Sequence, residues 1–329
     1  MATYVVTGGA GFIGSNVVAA LETRGEDVIV IDWLGKKSKW QNLAKRRLLD
    51  LAPPERLFER LDSLPEPPTA IFHFGAISDT TETDVDLIVR NNFGLSCRLW
   101  QWCADHEVPL IYASSAATYG DGAQGWRDGE DLGYLATLRP LNAYGWSKHL
   151  FDRWAAHRVH FQMPAPPRWA GLKFFNVYGP NEHHKGAQRS VALQLFEQVS
   201  AGQSARLFRS GRIDCPDGGQ ERDFVWVGDC VEIALWLADG CHPSGLYNVG
   251  SGRARSFVDL ARAAFSTLGR EPRLEFVPMP PELAAKYQYF TQADISKLGN
   301  AGWSGRPLSI EDGLRRYFED FLSRPDPYR

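Results

Sequence analysis

The sequence lacks the features that mark secreted, membrane-spanning and zinc-binding proteins. Its five cysteines are odd in number and include no Cys-x-x-Cys pair, which argues against a disulfide framework and a zinc site. No apolar run reaches the roughly 18 residues that a membrane span needs. The chain begins with a strand-like run at 3–6 (TYVV) in place of a signal peptide. We therefore expect a cytoplasmic protein that uses no metal ion and has no membrane partner.

The charges are nearly balanced, which removes one reason to expect a nucleic-acid partner. The chain carries 36 basic and 39 acidic residues, a formal net charge of −3, and so has no strong attraction for nucleic acid or an anionic membrane. A local basic cluster between positions 36 and 47 is the exception. Hydrophobic residues make up 44% of the 329 positions and charged residues 23%. This composition is typical of a soluble globular protein of about two domains.

Short apolar runs alternate with amphipathic stretches through the first half of the chain. Continuous runs such as 28–31 (VIVI) are typical of parallel strands buried on both faces. Helical patterns at 16–24 and 87–107 separate some of these runs. The alternation predicts an α/β fold with a doubly wound parallel sheet of the Rossmann type. The predicted strands lie at 4–6, 28–31, 70–72, 109–113 and 171–175.

A glycine-rich turn links the first predicted strand to the first predicted helix. Gly8, Gly11 and Gly14 have G-x-x-G-x-x-G spacing, and Gly9, Gly11 and Gly14 also fit G-x-G-x-x-G. Glycines at these places permit a tight turn, a close backbone approach to a pyrophosphate and close packing of helix on strand. Asp32 ends the second strand, where a carboxylate can accept hydrogen bonds from ribose hydroxyls. The pattern predicts a dinucleotide-binding site.

The residues themselves leave the choice of dinucleotide open. Asp32 favours NAD, because its charge would repel the 2′-phosphate of NADP. Lys36, Lys37 and Lys39 lie just beyond it and could hold that phosphate. A solvated run of charges is the ordinary alternative for these lysines.

A tyrosine and a lysine are placed for proton transfer. Tyr144 and Lys148 are four positions apart, on one face of a predicted helix. Oxidation of a carbinol needs a base, and a tyrosine with a pKa of about 10 is scarcely ionised at pH 7. The Lys148 ammonium and a positive nicotinamide ring would favour the phenolate. Ser115, at the end of a predicted strand, would hydrogen-bond the reacting oxygen, because ligands of open α/β sheets bind at that edge.

Together these motifs resemble the extended short-chain dehydrogenase/reductase superfamily. The glycine turn, the segment 114–120 (SSAATYG), Tyr-x-x-x-Lys and 175–180 (FNVYGP) occur in the order typical of that superfamily. Within it, the chain is most similar to the ADP-L-glycero-D-manno-heptose 6-epimerases. The segments that carry this closer likeness span nearly the whole chain: 7–16, 78–82, 91–92, 112–120, 140–145, 175–180, 184–186 (HKG), 222–224 (RDF), 287 and 290–294 (FTQAD).

The resemblance implies an isomerase that consumes no net cofactor. Enzymes of this family oxidise a sugar carbon, C6 of the heptose, to a transient ketone and return the hydride to the opposite face. The inversion uses a second proton carrier besides Tyr144, and the matching family position is Lys185. The resemblance also implies NADP as the cofactor, with NAD as the alternative, a nucleotide sugar as the substrate, and homo-oligomers, often pentamers.

The family's binding positions match two sets of residues in this chain. Arg222 is the expected partner of the diphosphate, because a guanidinium can pair with two phosphate oxygens at once. The candidate cofactor-binding residues are Gly8, Gly11, Phe12, Ile13, Gly14, Asp32, Trp33, Lys39, Phe74, Gly75, Ala76, Ile77, Ser78, Asn91, Lys148, Val177 and Lys185. The candidate substrate-binding residues are Ser115, Asn176, Ala187, Gln194, Phe208, Arg209, Ser210, Gly211, Arg222 and Tyr287.

The amino-acid composition changes after position 180, where proline, glycine, arginine and histidine become frequent. The stretch 210–220 is loop-like, and a helix is predicted at 309–322. A strand at 223–227 followed by a helix at 229–238 is expected to return to the first domain. The predicted domains are a dinucleotide-binding domain at 1–180 and 223–255 and a smaller mixed α/β substrate domain at 181–222 and 256–329.

Several positions depart from the family pattern. Trp33 stands where asparagine is usual, Phe74 replaces an acidic residue, and Ala187 and Gln194 replace a hydroxyl residue and a histidine. The loop 211–221 is also longer than in the family. The departures lie near the adenosine end of the cofactor and near the substrate pocket.

Two other functions remain open on the same scaffold. One is a 4-epimerase acting on a UDP-sugar, and the other is a catalytically silent NADP-binding sensor. A 4,6-dehydratase is disfavoured, because those enzymes usually carry an acidic pair after the active-site threonine. Here Thr118 is followed by Tyr119 and Gly120.

Overall fold

The computed structural model describes residues 2–80, 82–280 and 287–329. Met1, Thr81 and residues 281–286, which fall in ranges named above, lie outside them. Twelve strands are described there, seven of them in one entirely parallel sheet of order β10-β6-β5-β4-β1-β2-β3. The strands are β1 (Thr3–Thr7), β2 (Asp27–Ile31), β3 (Asp50–Ala52), β4 (Ala70–His73), β5 (Leu110–Ser115), β6 (Trp169–Phe174), β7 (Asn176–Tyr178), β8 (Ala205–Phe208), β9 (Glu221–Trp226), β10 (Gly245–Val249), β11 (Ala254–Ser256) and β12 (Leu274–Val277).

The helices complete the doubly wound arrangement that the sequence predicts. They are α1 (Phe12–Thr23), α2 (Leu57–Asp62), α3 (Val85–Ile88), α4 (Leu95–Asp105), α5 (Leu132–Thr137), α6 (Ala143–His160), α7 (Val191–Ser200), α8 (Val227–Asp239), α9 (Phe257–Thr267), α10 (Ser296–Asn300) and α11 (Ile310–Tyr317). Shorter helical turns lie at Ser38–Leu43, Pro54–Arg56, Val89–Gly94, Ala116–Tyr119, His183–Gln188 and Phe318–Leu322. In these described ranges, no helix has the length and apolar character needed to cross a membrane.

The parallel sheet is buried on both faces, as its continuous apolar runs predict. Successive side chains of a strand point to opposite faces, so Val6 and Phe72 join one core with α1 and α8, while Val5 and Ile71 join the other with α4 and α6. The strand order reverses between β1 and β4. A crevice forms at the carboxyl ends of the strands on either side of such a reversal, and ligands bind there.

A π turn interrupts the long helix predicted at 87–107. Residues Val89–Gly94 form this wider turn between α3 and α4. Asn92 lies within it, accepts a hydrogen bond from the Ile77 N–H at 2.8 Å, and donates to the Ser147 hydroxyl at 3.0 Å. A π turn often adapts a helix at a functional site. Here it ties the loop after β4 to α6.

The strand predicted at 223–227 forms, but it does not join the seven-stranded sheet. As β9, it pairs in parallel with β7 and antiparallel with β11. A short apolar run does not indicate which strand it will pair with. Here the partner is β7, which follows β6 directly in the chain but lies outside the seven-stranded sheet. A separate core beneath this small sheet is built from α7, α9 and α11, while α8 packs back on α1. The domain boundaries given above stay a prediction.

Candidate active site

The glycine turn is shaped by contacts that leave no room for side chains. Gly8 has a φ of +69°, and a Cβ there would lie 2.5 Å from the Gly75 backbone nitrogen. A Cβ on Gly14 would lie 2.2 Å from the Gly8 carbonyl oxygen. Gly11 is the N-cap residue of α1, and it has no side chain that could accept a hydrogen bond from the first N–H groups of the helix. The first N–H groups of the helix are therefore left to bind an anion, and the turn fits the pyrophosphate of a dinucleotide.

The carboxylate of Asp32 is already paired. It accepts hydrogen bonds from the Ala10 N–H at 2.9 Å and from the Lys39 ammonium at 2.6 Å. Lys39 also donates to the Trp33 carbonyl at 3.0 Å, whereas the Trp33 indole turns towards Glu55 and is exposed. Lys39 thus offsets the charge that would make Asp32 repel a phosphate.

The carboxyl ends of β1, β2, β4, β5 and β6 open onto a cavity of about 510 Å³. A second cavity of about 210 Å³ adjoins it, and the two share these lining residues: Gly8, Asp32, Lys39, Gly75, Ala76 and Ile77. Every candidate cofactor-binding residue lines one or both, with Trp33 and Asn91 only in the second. The main cavity also has lining residues that the sequence reading missed: Asp79, Ala113, Ser114, Phe174, Phe175, His184 and Gln188.

Tyr144, Lys148 and Ser115 come together at the cavity wall. The Asn142 side chain caps α6 by accepting from the Gly145 N–H at 2.8 Å, which fixes the first turn containing Tyr144. Lys148 lies one turn further and is buried. The Ser115 side chain interacts with the Tyr144 phenol and acts to lower its pKa.

Burial of Tyr144 acts against the lowered pKa that the sequence analysis expects for this phenol. Burial raises the pKa of Tyr144 above its usual value, and the interaction with the Ser115 side chain only partly opposes this. Burial also lowers the pKa of Lys148 to about 8. Both shifts have one cause, since each charged form loses hydration at the cavity wall. The protein alone therefore holds Tyr144 as a phenol, and ionisation needs additional positive charge.

Lys185 lines the same cavity from a different part of the chain. It lies in the turn His183–Gln188, where Gly186 has a φ of +59°. Its ammonium is 5.3 Å from the centre of the Phe12 ring. Burial lowers the pKa of Lys185, and the nearby Glu182 opposes that shift. Glu182 also anchors the turn, because it accepts a hydrogen bond from the Ser190 hydroxyl at 2.7 Å.

The other candidate substrate-binding residues do not line this cavity. Arg222, on β9, is buried, and its guanidinium carbon lies 4.8 Å from the centre of the Tyr287 ring. The Gly211 N–H donates to the hydroxyl of Tyr289 at 3.0 Å, a tyrosine that no motif indicated. Gln194 donates to the Arg189 carbonyl at 3.0 Å. The remaining members lie at the end of β8 or near β7 and the Lys185 turn: Asn176, Ala187, Phe208, Arg209 and Ser210.

The cofactor fold and the Tyr-Lys site define an enzyme class that comparison with known proteins supports. A family model described as the NAD dependent epimerase/dehydratase family matches residues 4–250. The chain is 44% identical over 328 residues to the ADP-L-glycero-D-manno-heptose-6-epimerase of Nitratidesulfovibrio vulgaris strain DP4, which covers 99% of each chain. The chain therefore belongs to the NAD dependent epimerase/dehydratase family and, within it, to the ADP-L-glycero-D-manno-heptose-6-epimerases. Its cofactor is a nicotinamide dinucleotide.

Solved structures agree with this placement. The ADP-L-glycero-D-manno-heptose-6-epimerase of Helicobacter pylori superimposes with a TM-score of 0.77 at 26% identity, covering 97% of this chain and 96% of that chain. The UDP-glucose 4-epimerase of Thermus thermophilus, solved with NAD, gives a TM-score of 0.71 at 26% identity, covering 95% and 96%.

Proposed function

We propose that this protein inverts C6 of ADP-D-glycero-D-manno-heptose by oxidising it to a ketone and reducing it again from the opposite face. The observation that carries the proposal is the full-length likeness to the heptose epimerases, combined with one cavity lined by Tyr144, Lys148, Ser115 and Lys185. Four proton-handling groups beside a dinucleotide-binding turn match a reaction that removes and returns one hydride.

Each side chain has a separate task in this mechanism. Tyr144 takes the proton of the substrate hydroxyl, and Ser115 holds the reacting oxygen by a hydrogen bond. Lys185, on a different chain segment, gives and takes the proton when the ketone is reduced from the other face. The chemistry that the cofactor supplies when bound is the temporary storage of one hydride.

Ionisation of Tyr144 is the energetic difficulty of the reaction. A fall of its pKa from about 10 to about 7 corresponds to about 4 kcal/mol, and burial acts in the opposite direction. The Lys148 ammonium supplies an opposing field, to which an oxidised nicotinamide would add its positive charge when bound. Tyr144 is thus a strong base only when the site is filled.

NADP is the proposed cofactor. Lys39 pairs with Asp32 at 2.6 Å, which leaves Asp32 little negative charge to repel a 2′-phosphate, and the exposed Lys36 and Lys37 lie nearby in sequence. Heat release of the bound cofactor followed by mass spectrometry tests this proposal. A 2′-phosphate is the expected result, and NAD alone would contradict it.

Arg222 and Tyr287 are proposed to hold the nucleotide diphosphate end of the substrate. The Arg222 guanidinium is desolvated, which strengthens a bidentate pair with phosphate oxygens. The Tyr287 ring keeps the guanidinium in one orientation. We further propose a cytoplasmic homo-oligomer.

The decisive assay offers the purified protein two substrates separately, ADP-D-glycero-D-manno-heptose and UDP-glucose, and resolves the epimers by NMR. Inversion of the heptose at C6 is expected, with no conversion of UDP-glucose. Conversion of UDP-glucose alone would make the protein a 4-epimerase. Conversion of neither, with no transient cofactor reduction, would support the silent sensor.

A further inference from the structure

A buried ion pair lies directly behind the cavity wall. Lys173 on β6 and Asp152 on α6 are both completely buried, and their nitrogen and oxygen atoms are 2.6 Å apart. Lys173 also donates to the Thr118 hydroxyl at 2.8 Å, and its ammonium lies 4.9 Å from the centre of the Tyr119 ring. A lysine inside a doubly covered parallel strand breaks the apolar pattern of such strands.

The carboxylate joins the two elements that carry the site. Asp152 accepts hydrogen bonds from the Tyr112 hydroxyl at 3.0 Å and the Ser114 hydroxyl at 2.7 Å, both on β5. Ser114 lines the cavity and immediately precedes Ser115. On α6, Asp152 lies one turn beyond Lys148 and two turns beyond Tyr144. One carboxylate therefore ties the strand carrying Ser115 to the helix carrying Tyr144 and Lys148.

Fold stability alone does not account for this pair. Moving two charges out of water is costly, and well-packed apolar residues of similar volume often replace a buried ion pair without loss of stability. The charges are also close enough to act on the site, since Asp152 raises the pKa of both Tyr144 and Lys148. Lys173 offsets the field of that carboxylate.

We propose that Asp152 and Lys173 are positioning residues that hold the Tyr144–Lys148 face of α6 against Ser115 and keep the region behind it electrically neutral. Removing either charge leaves the other unbalanced behind the base. The inference rests on the proposed function, in which Tyr144 is that base.

The other titratable groups packed around this part of α6 do not supply a competing buried charge. Burial lowers the pKa of His73 to about 3 and that of His149 to about 4. Burial raises the pKa of three neighbouring phenols, Tyr112, Tyr119 and Tyr134. All five are therefore uncharged at pH 7. Two lysines of the described residues line the cavity from other chain segments: Lys185, and Lys39, which is paired with Asp32. The charged side chains of α3, the π turn, α5 and the adjoining part of α6 are exposed: Asp84, Asp86, Arg90, Asp131 and Arg153.

The test compares Asp152→Asn, Lys173→Met and the double variant in the cofactor-bound enzyme. The pH profile of kcat reports the base, and ¹³Cζ-tyrosine NMR, assigned with Tyr144→Phe, reports Tyr144 ionisation directly. Asp152→Asn removes the negative charge, so the acidic limb and the Tyr144 transition should move down by about 0.5–1 pH unit. Lys173→Met leaves Asp152 unbalanced, so both should move up by a similar amount. In the double variant, the acidic limb and the Tyr144 transition should both lie near their wild-type positions.

The opposite shifts separate this proposal from a purely structural role. Asp239→Asn, in the exposed pair with Arg24, is the matched control and should leave the profile unchanged. The proposal would be overturned if the two folded single variants shifted the pH profile in the same direction or did not shift it. It would also be overturned if the pH profile of the double variant did not return to near that of the wild type. Lys173→Gln, which retains a donor, replaces Lys173→Met if that variant does not fold. Wild-type turnover in Tyr144→Phe would instead contradict the proposed function itself.

Discussion

Lys185 and Tyr144 come from distant parts of the chain, yet both line one cavity. The sequence pattern alone makes Lys185 an ordinary loop lysine, and only the family resemblance gave it a role. In the structure it is half-buried beside Phe12, and this burial lowers its pKa. A lysine with a lowered pKa gives up its proton more readily than an exposed lysine, which suits it to proton transfer.

Replacing Lys185 by methionine should slow epimerisation by about 10²–10⁴-fold, because one face of the ketone loses its proton carrier. The measurement is kcat with the heptose nucleotide, with cofactor content checked by absorbance. The control is Lys45→Met, since Lys45 is an exposed lysine that lines neither cavity. A wild-type rate in Lys185→Met would remove Lys185 from the mechanism.

Lys148 gives the reaction an alkaline limit. Burial lowers its pKa to about 8, so the ammonium is present below that pH and is lost as the pH rises through it. Turnover should therefore decline above about pH 8. Lys148→Arg should retain its charge and move the decline upward, at some cost in rate. An identical alkaline limb in both proteins would show that another group sets it.

Some residue-level features were readable from the sequence and others were not. The Tyr-x-x-x-Lys spacing indicates one helix face, and the structure places Tyr144 and Lys148 there. The raised pKa of Tyr144 could not be predicted from the sequence, because it depends on burial that arises only when the chain folds. Lys173 was visible as a charge within an apolar run, but its partner Asp152 is fixed only when α6 packs on the sheet.

At the scale of elements, the turn between β1 and α1 sets how closely the helix approaches the strand. A Cβ on Gly14 would meet the Gly8 carbonyl oxygen at 2.2 Å, and a backbone atom cannot move aside cheaply. Gly14→Ala should therefore displace the start of α1 and spoil the alignment of its N–H groups. The helix start therefore does not tolerate one added methyl group at Gly14 without a backbone shift.

We expect Gly14→Ala to weaken cofactor binding by roughly tenfold or more, equivalent to about 1.4 kcal/mol. Titration of the reduced cofactor by fluorescence measures the change. Gly299→Ala in α10 is the control, because a Cβ there meets none of the neighbouring atoms in the described ranges within 4 Å. Unchanged affinity in Gly14→Ala would contradict the assignment of this turn to the pyrophosphate.

Elements with strong local patterns were predictable, and those set by pairing were not. The apolar runs located β1, β2, β4, β5 and β6, because strands covered on both faces are apolar throughout. Nothing local in 223–227 indicates that β9 pairs with β7 and β11. The π turn before α4 likewise depends on Asn92 reaching Ile77 and Ser147.

At the scale of the whole molecule, the proposed substrate has to span two regions. Its reacting carbon belongs at the cavity of the seven-stranded sheet, whereas Arg222 lies on the smaller sheet with β7 and β11. Both regions have cores of their own. Binding at Arg222 should thus contribute to substrate affinity and leave the cofactor unaffected.

Arg222→Ala should raise KM for the nucleotide sugar by about 10–100-fold, as expected for a lost charge-assisted hydrogen-bond pair. The cofactor dissociation constant should stay within twofold of the wild type, a limit we set at about 0.4 kcal/mol. Arg262→Ala, on the exposed side of α9, serves as the control. If Arg222→Ala weakens the cofactor more than the substrate, Arg222 belongs to the cofactor site.

The central claim is that the hydride taken from the sugar is the hydride given back. The most direct measurement follows a substrate deuterated at C6 through epimerisation, alongside unlabelled substrate turned over in D₂O. We predict that the epimerised product retains the deuterium at C6 and that the unlabelled substrate gains none there. Loss of the label, or deuterium entering C6 from the solvent, would contradict the mechanism.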